Sequence, residues 1–136
     1  MEKQVFIYDT ALRDGNQAKG LSFSLEDKLA IARKLDDFGV DYIEGGWPNP
    51  TNPTDMEFFA RARRMTWKHA KIAAFGSTCR PNGKPEEDHG LRHLVETRAP
   101  VITSPPENQA KMRRLSRERT KWPMGPIGRC QGGPRW

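Results

Sequence analysis

Short apolar runs alternate with helix-period segments along the first hundred or so residues, and that alternation leaves few folds open. Val5-Phe6-Ile7-Tyr8 has no polar alternation, which predicts a buried strand over Lys3 to Asp9, covered on both faces as in a parallel sheet. Leu25, Leu29, Ala32, Leu35 and Phe38 recur at helical spacing and predict a helix over 25–38. Ser24 suits its N-cap, Asp27 adds a carboxylate near the positive end of the dipole, and Gly39 suits a left-handed residue just past the C-terminus. Val40 to Gly45 then returns as a second strand after a very short link. The prolines of Pro48-Asn49-Pro50-Thr51-Asn52-Pro53 make a loop, and Thr54 with Glu57 is a capping-box candidate for a helix over about 55–66. Lys71 to Phe75 reads as strand three. After a loop over 76–84, Pro85 and the acidic Glu86, Glu87 and Asp88 open a third helix that runs to about Thr97. Pro100 to Thr103 begins a fourth strand. This order demands a parallel sheet with right-handed crossovers. A doubly wound sheet and a (β/α) barrel both satisfy it. No Gly-x-Gly-x-x-Gly follows strand one, which disfavours the dinucleotide-binding version of the first.

The chain's 136 residues suit one small domain. Its net charge of +6 suggests a nucleic-acid partner until the charge is located. Residues 102–136 carry eight basic side chains against two acidic ones, and residues 1–101 balance to zero. That tail also holds Pro105, Pro106, Pro123, Pro126 and Pro134 and shows no apolar period. Such a composition does not bury enough surface to offset chain entropy, so the division expected is an ordered 1–103 and a disordered 104–136. Trp122 and Trp136 are its only aromatics, a poor basis for binding nucleic acid. Cys79 and Cys130 have no metal or redox spacing and suit a reducing, cytoplasmic setting. No apolar run is long enough for a membrane span, and the opening Met1-Glu2-Lys3-Gln4 is unlike a signal peptide.

Asp9-Thr10-Ala11-Leu12-Arg13-Asp14-Gly15-Asn16-Gln17 joins strand one to helix one. In a barrel this is the catalytic rim. Asp14 there suits a hard divalent cation, Arg13 suits an oxyanion, and Gly15 permits a sharp turn. An ordinary surface salt bridge is the competing reading. Glu44, at the end of strand two among apolar neighbours, is either a rim residue facing the site or a partner for a nearby arginine. Gly45-Gly46 either turns the chain or lets a substrate approach the backbone. Ser77 and Thr78 end strand three at the same rim, where loop capping is the simpler role. His89 and His93 have a metal-compatible spacing but enclose Gly90-Leu91-Arg92, without a metalloprotease glutamate. His69 reads as a solvated helix end.

Tyr8 to Gln17 closely resembles the first-strand signature of the 2-isopropylmalate/homocitrate/citramalate synthase family, barrel enzymes related to hydroxymethylglutaryl-CoA lyase. Phe23-Ser24-Leu25-Glu26-Asp27-Lys28, Tyr42-Ile43-Glu44-Gly45-Gly46-Trp47-Pro48 and Lys68 to Thr78 resemble its citramalate synthase branch. The resemblance covers about residues 4–103 and implies an incomplete (β/α)8 TIM barrel: three βα units and the start of strand four. It implies that Arg13 contacts a 2-oxo acid in a catalytic role, that Asp14 binds a divalent metal (Mg²⁺ or Mn²⁺), and that Gln17 and Glu44 lie at the substrate. Ala11 stands where the family usually has a second threonine, which removes no ligand.

The reaction implied is a Claisen-type condensation of acetyl-CoA with pyruvate to citramalate, in isoleucine and other branched-chain amino-acid biosynthesis, by a homodimer. A 2-isopropylmalate synthase, using a bulkier 2-oxo acid, is the alternative within the family, and an inactive fragment the alternative outside it. The family's His-x-His metal pair, its further asparagine and its catalytic glutamate have no counterpart here. With half a barrel's covering missing, the chain alone is expected to be inactive and prone to aggregate. The abrupt change near Thr103 is expected to mark a frameshift or a mis-called gene end. Resequencing the locus should then reveal barrel-like sequence continuing in another frame, and its absence would dismiss that expectation.

Overall fold

A computed structural model describes residues 4–76 and 87–103. Ser77, Thr78, Cys79, Pro85, Cys130 and the expected disordered tail lie outside the described residues. The elements are β1 (Tyr8–Asp9), α1 (Leu25–Phe38), β2 (Tyr42–Gly46), α2 (Pro53–Ala62), β3 (Lys71–Phe75), α3 (His89–Glu96) and β4 (Val101–Thr103), with a 3₁₀ turn at Gly15–Gln17.

α1 has the bounds its apolar period predicts. Ser24 and Asp27 form a reciprocal capping box, the Asp27 N–H donating to Ser24 Oγ at 3.2 Å and the Ser24 N–H to Asp27 Oδ2 at 3.0 Å. Gly39 closes the helix at φ 92°, in the left-handed region where a Cβ is costly. α2 departs from expectation. Asn52, not Thr54, is its N-cap, accepting from the Asp55 N–H at 3.3 Å, and Pro53 takes the first helical position. Proline lacks the N–H that would go unpaired there and arrives with a helical φ, so the helix starts two residues earlier than the Thr54/Glu57 pattern suggests. It also ends sooner, at Ala62. α3 begins at His89, capped by Asp88, whose side chain accepts from the Leu91 N–H at 3.0 Å.

All four strands are parallel and lie in the order β1-β2-β3-β4. That order decides between the two architectures. Doubly wound sheets place their first strand in the interior. Here β1 is an edge and each strand neighbours the next, which is the progression of a barrel wall. The apolar layer lies between sheet and helices. Ile43, Ile72 and Ala74 from the strands meet Leu29, Ala32, Phe58, Phe59, Ala62, Leu91 and Leu94 from the helices.

β1 corrects the sequence reading. Only Tyr8–Asp9 pair as strand, and Val5, Phe6 and Ile7 are 82%, 52% and 55% exposed rather than buried. β2 covers one edge of β1, and among the described residues nothing pairs with the other. Among the described residues no layer packs over this apolar run, and it stays wet.

The junction between α2 and β3 hangs on Asp36, a buried carboxylate near the end of α1. It accepts the backbone N–H groups of Lys68, His69 and Ala70 at 2.8, 2.9 and 2.8 Å. Burial pushes this carboxyl up, but the three N–H donors outweigh it and hold Asp36 below the usual carboxylate range. The stability from this contact is therefore complete above the ordinary aspartate value of about 4 and is lost as pH falls through the lower folded-state value. We expect Asp36→Ala to cost about 3 kcal/mol in denaturant unfolding, because it strands those N–H groups. Asp36→Asn, which keeps one acceptor oxygen, should cost less. Equal stability of all three proteins would contradict this assignment.

Candidate active site

The polar groups gather where the C-terminal ends of the strands meet. The β1–α1 loop is folded around one carbonyl: Thr10 O accepts from the N–H groups of Arg13, Asp14 and Gly15 at 3.2, 2.8 and 3.2 Å. Asp9 Oδ1 accepts from the Ala11 N–H at 3.0 Å. Leu12 is fully buried in the core and pins the loop from below. Arg13 and Asp14 are thereby presented side by side. Gly15 is not what makes the turn. It has no positive φ, and a Cβ there would make only ordinary contact with Ala11.

Glu44 sits beneath Arg13 with 3% exposure. Its neighbour Ile43 points into the helix-covered core, so strand alternation turns Glu44 to the opposite face. Arg13 Nε donates to Glu44 Oε1 at 2.5 Å. The hydroxyls of Tyr8 and Thr103 both donate to Oε2, at 2.6 and 3.0 Å. The Arg13 guanidinium also lies 4.2 Å from the centroid of the Phe75 ring, and Phe75 meets Trp47 edge-on at 6.3 Å. Arg13 Nη1 pairs with Asp14 Oδ1 at 3.2 Å, while the Asp14 side chain stays 63% exposed. A guanidinium clamped by its Nε and stacked on a ring keeps a defined plane, and its outer N–H groups suit an oxyanion.

Of the four site residues anticipated, Arg13, Asp14 and Glu44 are brought together. Gln17 is exposed on the 3₁₀ turn, and among the described residues no side-chain hydrogen bond joins it to them. Tyr8, Phe75, Trp47 and Thr103 escaped the sequence reading, because Tyr8 lies in an apolar run and the others look like strand-end packing residues. Their shared position at strand C-termini was the available signal. Tyr8 is pushed above the usual tyrosine range, first by burial and then by its bond to the Glu44 carboxylate.

A second buried cluster stands behind this one. Lys28 on α1 pairs with Asp55 on α2, both nearly solvent-free. Asp55 Oδ2 accepts from the Trp47 N–H at 2.8 Å and from Asn52 Nδ2 at 2.7 Å. This ties down the loop that aims Trp47 at Phe75. Gly46 takes a φ of 155°, which favours glycine, and both glycines of Gly45-Gly46 are also closely packed. A Cβ on Gly45 would strike the Phe58 ring, and one on Gly46 would strike the Asp55 carboxyl.

Among the described residues no group of three or more His, Cys, Asp or Glu side chains is arranged to hold a metal ion. His93 Nδ1 lies 3.3 Å from Glu96 Oε2. The exposed Asp14 carboxylate fits a hard cation as one oxygen donor of a larger set. Among the described residues no helix is long and apolar enough to cross a membrane.

Residues 4–85 match the HMGL-like family model. The chain belongs to the HMGL-like family. It is a TIM-barrel family, in agreement with the strand order described above. Among HMGL-like relatives, the chain is 57% identical over 103 residues to an (R)-citramalate synthase of Aquifex aeolicus, covering 76% of this chain and 19% of that protein. It is 52% identical over 104 residues to the (R)-citramalate synthase of Streptomyces coelicolor, again 76% of this chain and 19% of the relative. A 2-isopropylmalate synthase of Heliobacterium modesticaldum is 38% identical over 117 residues, 83% of this chain and 22% of that protein. The chain thus spans about a fifth of the length of the curated relatives it matches.

The raised Tyr8 value has a measurable consequence. Tyr8 favours its neutral form in the fold, so its contribution to stability is complete below the unfolded value of about 10 and is lost as pH rises beyond it. With Tyr42→Phe removing the other tyrosine, absorbance titration should show Tyr8 ionising later than free tyrosine. Ionisation at the ordinary value would remove the Tyr8–Glu44 contact from the site.

Proposed function

We propose that the protein to which these residues belong is an acyltransferase that condenses acetyl-CoA with pyruvate, giving citramalate and free CoA. The observation that carries this reading is Arg13, clamped by Glu44 and stacked on Phe75 at the strand ends, beside the open carboxylate of Asp14. Identities of 57% and 52% to citramalate synthases, each over 76% of the chain, support this substrate pair.

In the reaction a base takes a proton from the thioester methyl, and the resulting enolate carbon bonds to the ketone carbon of pyruvate. The ketone oxygen gains the electron pair and then a proton. Water cleaves the thioester to release CoA. Arg13 directs its outer N–H groups at the oxygen that gains charge, where a fixed donor acts most strongly. Glu44 holds that guanidinium, and Gln17 borders the substrate. Asp14 would hold a divalent cation, Mg²⁺ or Mn²⁺, which when bound polarises the 2-oxo acid. The base is assigned to no described residue. On this reading the working enzyme is a cytoplasmic homodimer of branched-chain amino-acid biosynthesis, and the 136-residue chain alone does not turn over. The match to a 2-isopropylmalate synthase favours a second reading, in which a bulkier 2-oxo acid replaces pyruvate.

The test uses a version carrying the remaining length of its relatives, with CoA thiol release followed after adding each 2-oxo acid. Pyruvate should support release only with metal present. Asp14→Ala should abolish this with little change in melting temperature, since a rim carboxylate packs against little. Arg13→Lys should lower turnover roughly 100-fold or more, because an ammonium lacks the planar fork. Full activity of Asp14→Ala at saturating Mg²⁺, or near-normal turnover of Arg13→Lys, would overturn these roles.

A further inference from the structure

We infer that Tyr8 and Thr103 are positioning residues, which set the plane of the Arg13 guanidinium by fixing the Glu44 carboxylate between two hydroxyls and one N–H. The inference deepens the proposed role of Arg13 toward a 2-oxo acid and rests on that reading for its catalytic meaning. An ionised carboxylate only accepts hydrogen bonds, and its two oxygens have divided their partners. Oε2 takes the hydroxyl protons of Tyr8 and Thr103, and Oε1 takes Arg13 Nε. Two donors on one oxygen hold the carboxylate against rotation, so Oε1 stays aimed at Nε.

Each hydroxyl is itself held. The Tyr8 ring stacks on Tyr42 with centroids 6.1 Å apart and planes 28° from parallel. Thr103 is paired in the sheet with Phe75, the residue on which the guanidinium lies. Tyr8 and Thr103 also meet at 3.2 Å across 95 residues of chain. The orientation of Arg13 therefore depends on β1, β2, β3 and β4 together. Arg13 and Glu44 alone do not determine it, because a long guanidinium side chain facing a freely rotating carboxylate has many equivalent poses.

The experiment follows the Arg13 Nε–H signal by NMR in the full 136-residue chain and in Tyr8→Phe, Thr103→Val and Thr103→Ser. Tyr8→Phe keeps the ring stack and removes only the hydroxyl. Thr103→Ser keeps the hydroxyl. Solvent exchange of Nε–H should speed up about tenfold or more in Tyr8→Phe and Thr103→Val, with a shifted resonance, and return toward the parent value in Thr103→Ser. The backbone amides of Ile43 and Ile72 should keep their exchange rates. Unchanged Nε–H exchange in Tyr8→Phe and Thr103→Val would overturn the inference, and so would free-arginine exchange in the parent. A uniform speeding of Nε–H and the sheet amides would overturn it too, by showing general loosening instead. Thiol release in the lengthened protein is read separately. If pyruvate elicits none in the parent, the proposed reaction fails while the Nε–H result stands on its own.

Discussion

A carboxylate taken out of water must be met by donors, and the arrangement of this rim follows from how Glu44 meets that requirement. Its burial would be strongly unfavourable alone. Tyr8 on β1, Arg13 on the loop after it and Thr103 on β4 each supply a hydrogen bond, so the ion is satisfied only when β1, β2 and β4 have come together. The same bonds orient the guanidinium. One interaction thus joins assembly of the wall to preparation of the site, and a breach of either is felt by the other.

Two further buried carboxylates repeat the device. Asp36 gathers three backbone N–H groups and fixes where β3 begins. Asp55 gathers Lys28, Asn52 and the Trp47 N–H and fixes the loop after β2. In each, a side chain from a helix holds irregular backbone that no strand partner can hold. The apolar layer supplies most of the driving force for folding but does not choose such loop conformations, since hydrophobic burial has no direction. The directional bonds choose them. The Asp55 carboxyl also fills the space that a side chain on Gly46 would need, which links a helix contact to the path of the rim.

Much of the secondary structure was legible because its determinants are local. The bounds of α1 follow from an apolar period, a capping box and a left-handed glycine, all within sixteen residues of one another. β3 likewise coincides with its apolar run. α2 was misplaced because two capping signals competed within three positions, and proline's fixed φ decided for Asn52. β1 was misread for a different reason. Its composition suits a doubly covered strand, and no property of Val5, Phe6 and Ile7 themselves reports whether a covering layer is present.

The candidate site divides along the same line. Arg13 and Asp14 were recognisable as neighbours on a strand-to-helix loop, and for Glu44 two roles stayed open. What the sequence by itself determined was the set of elements and the ends at which charged residues stand, since both follow from periodicities of a few residues. Only the tertiary structure decided the strand order, which separates a barrel wall from a doubly wound sheet. Only it decided that Glu44 closes on Arg13, Tyr8 and Thr103, at separations of 31, 36 and 59 residues. Such contacts are set by which strands lie side by side, and chain-local preferences do not encode that neighbourhood.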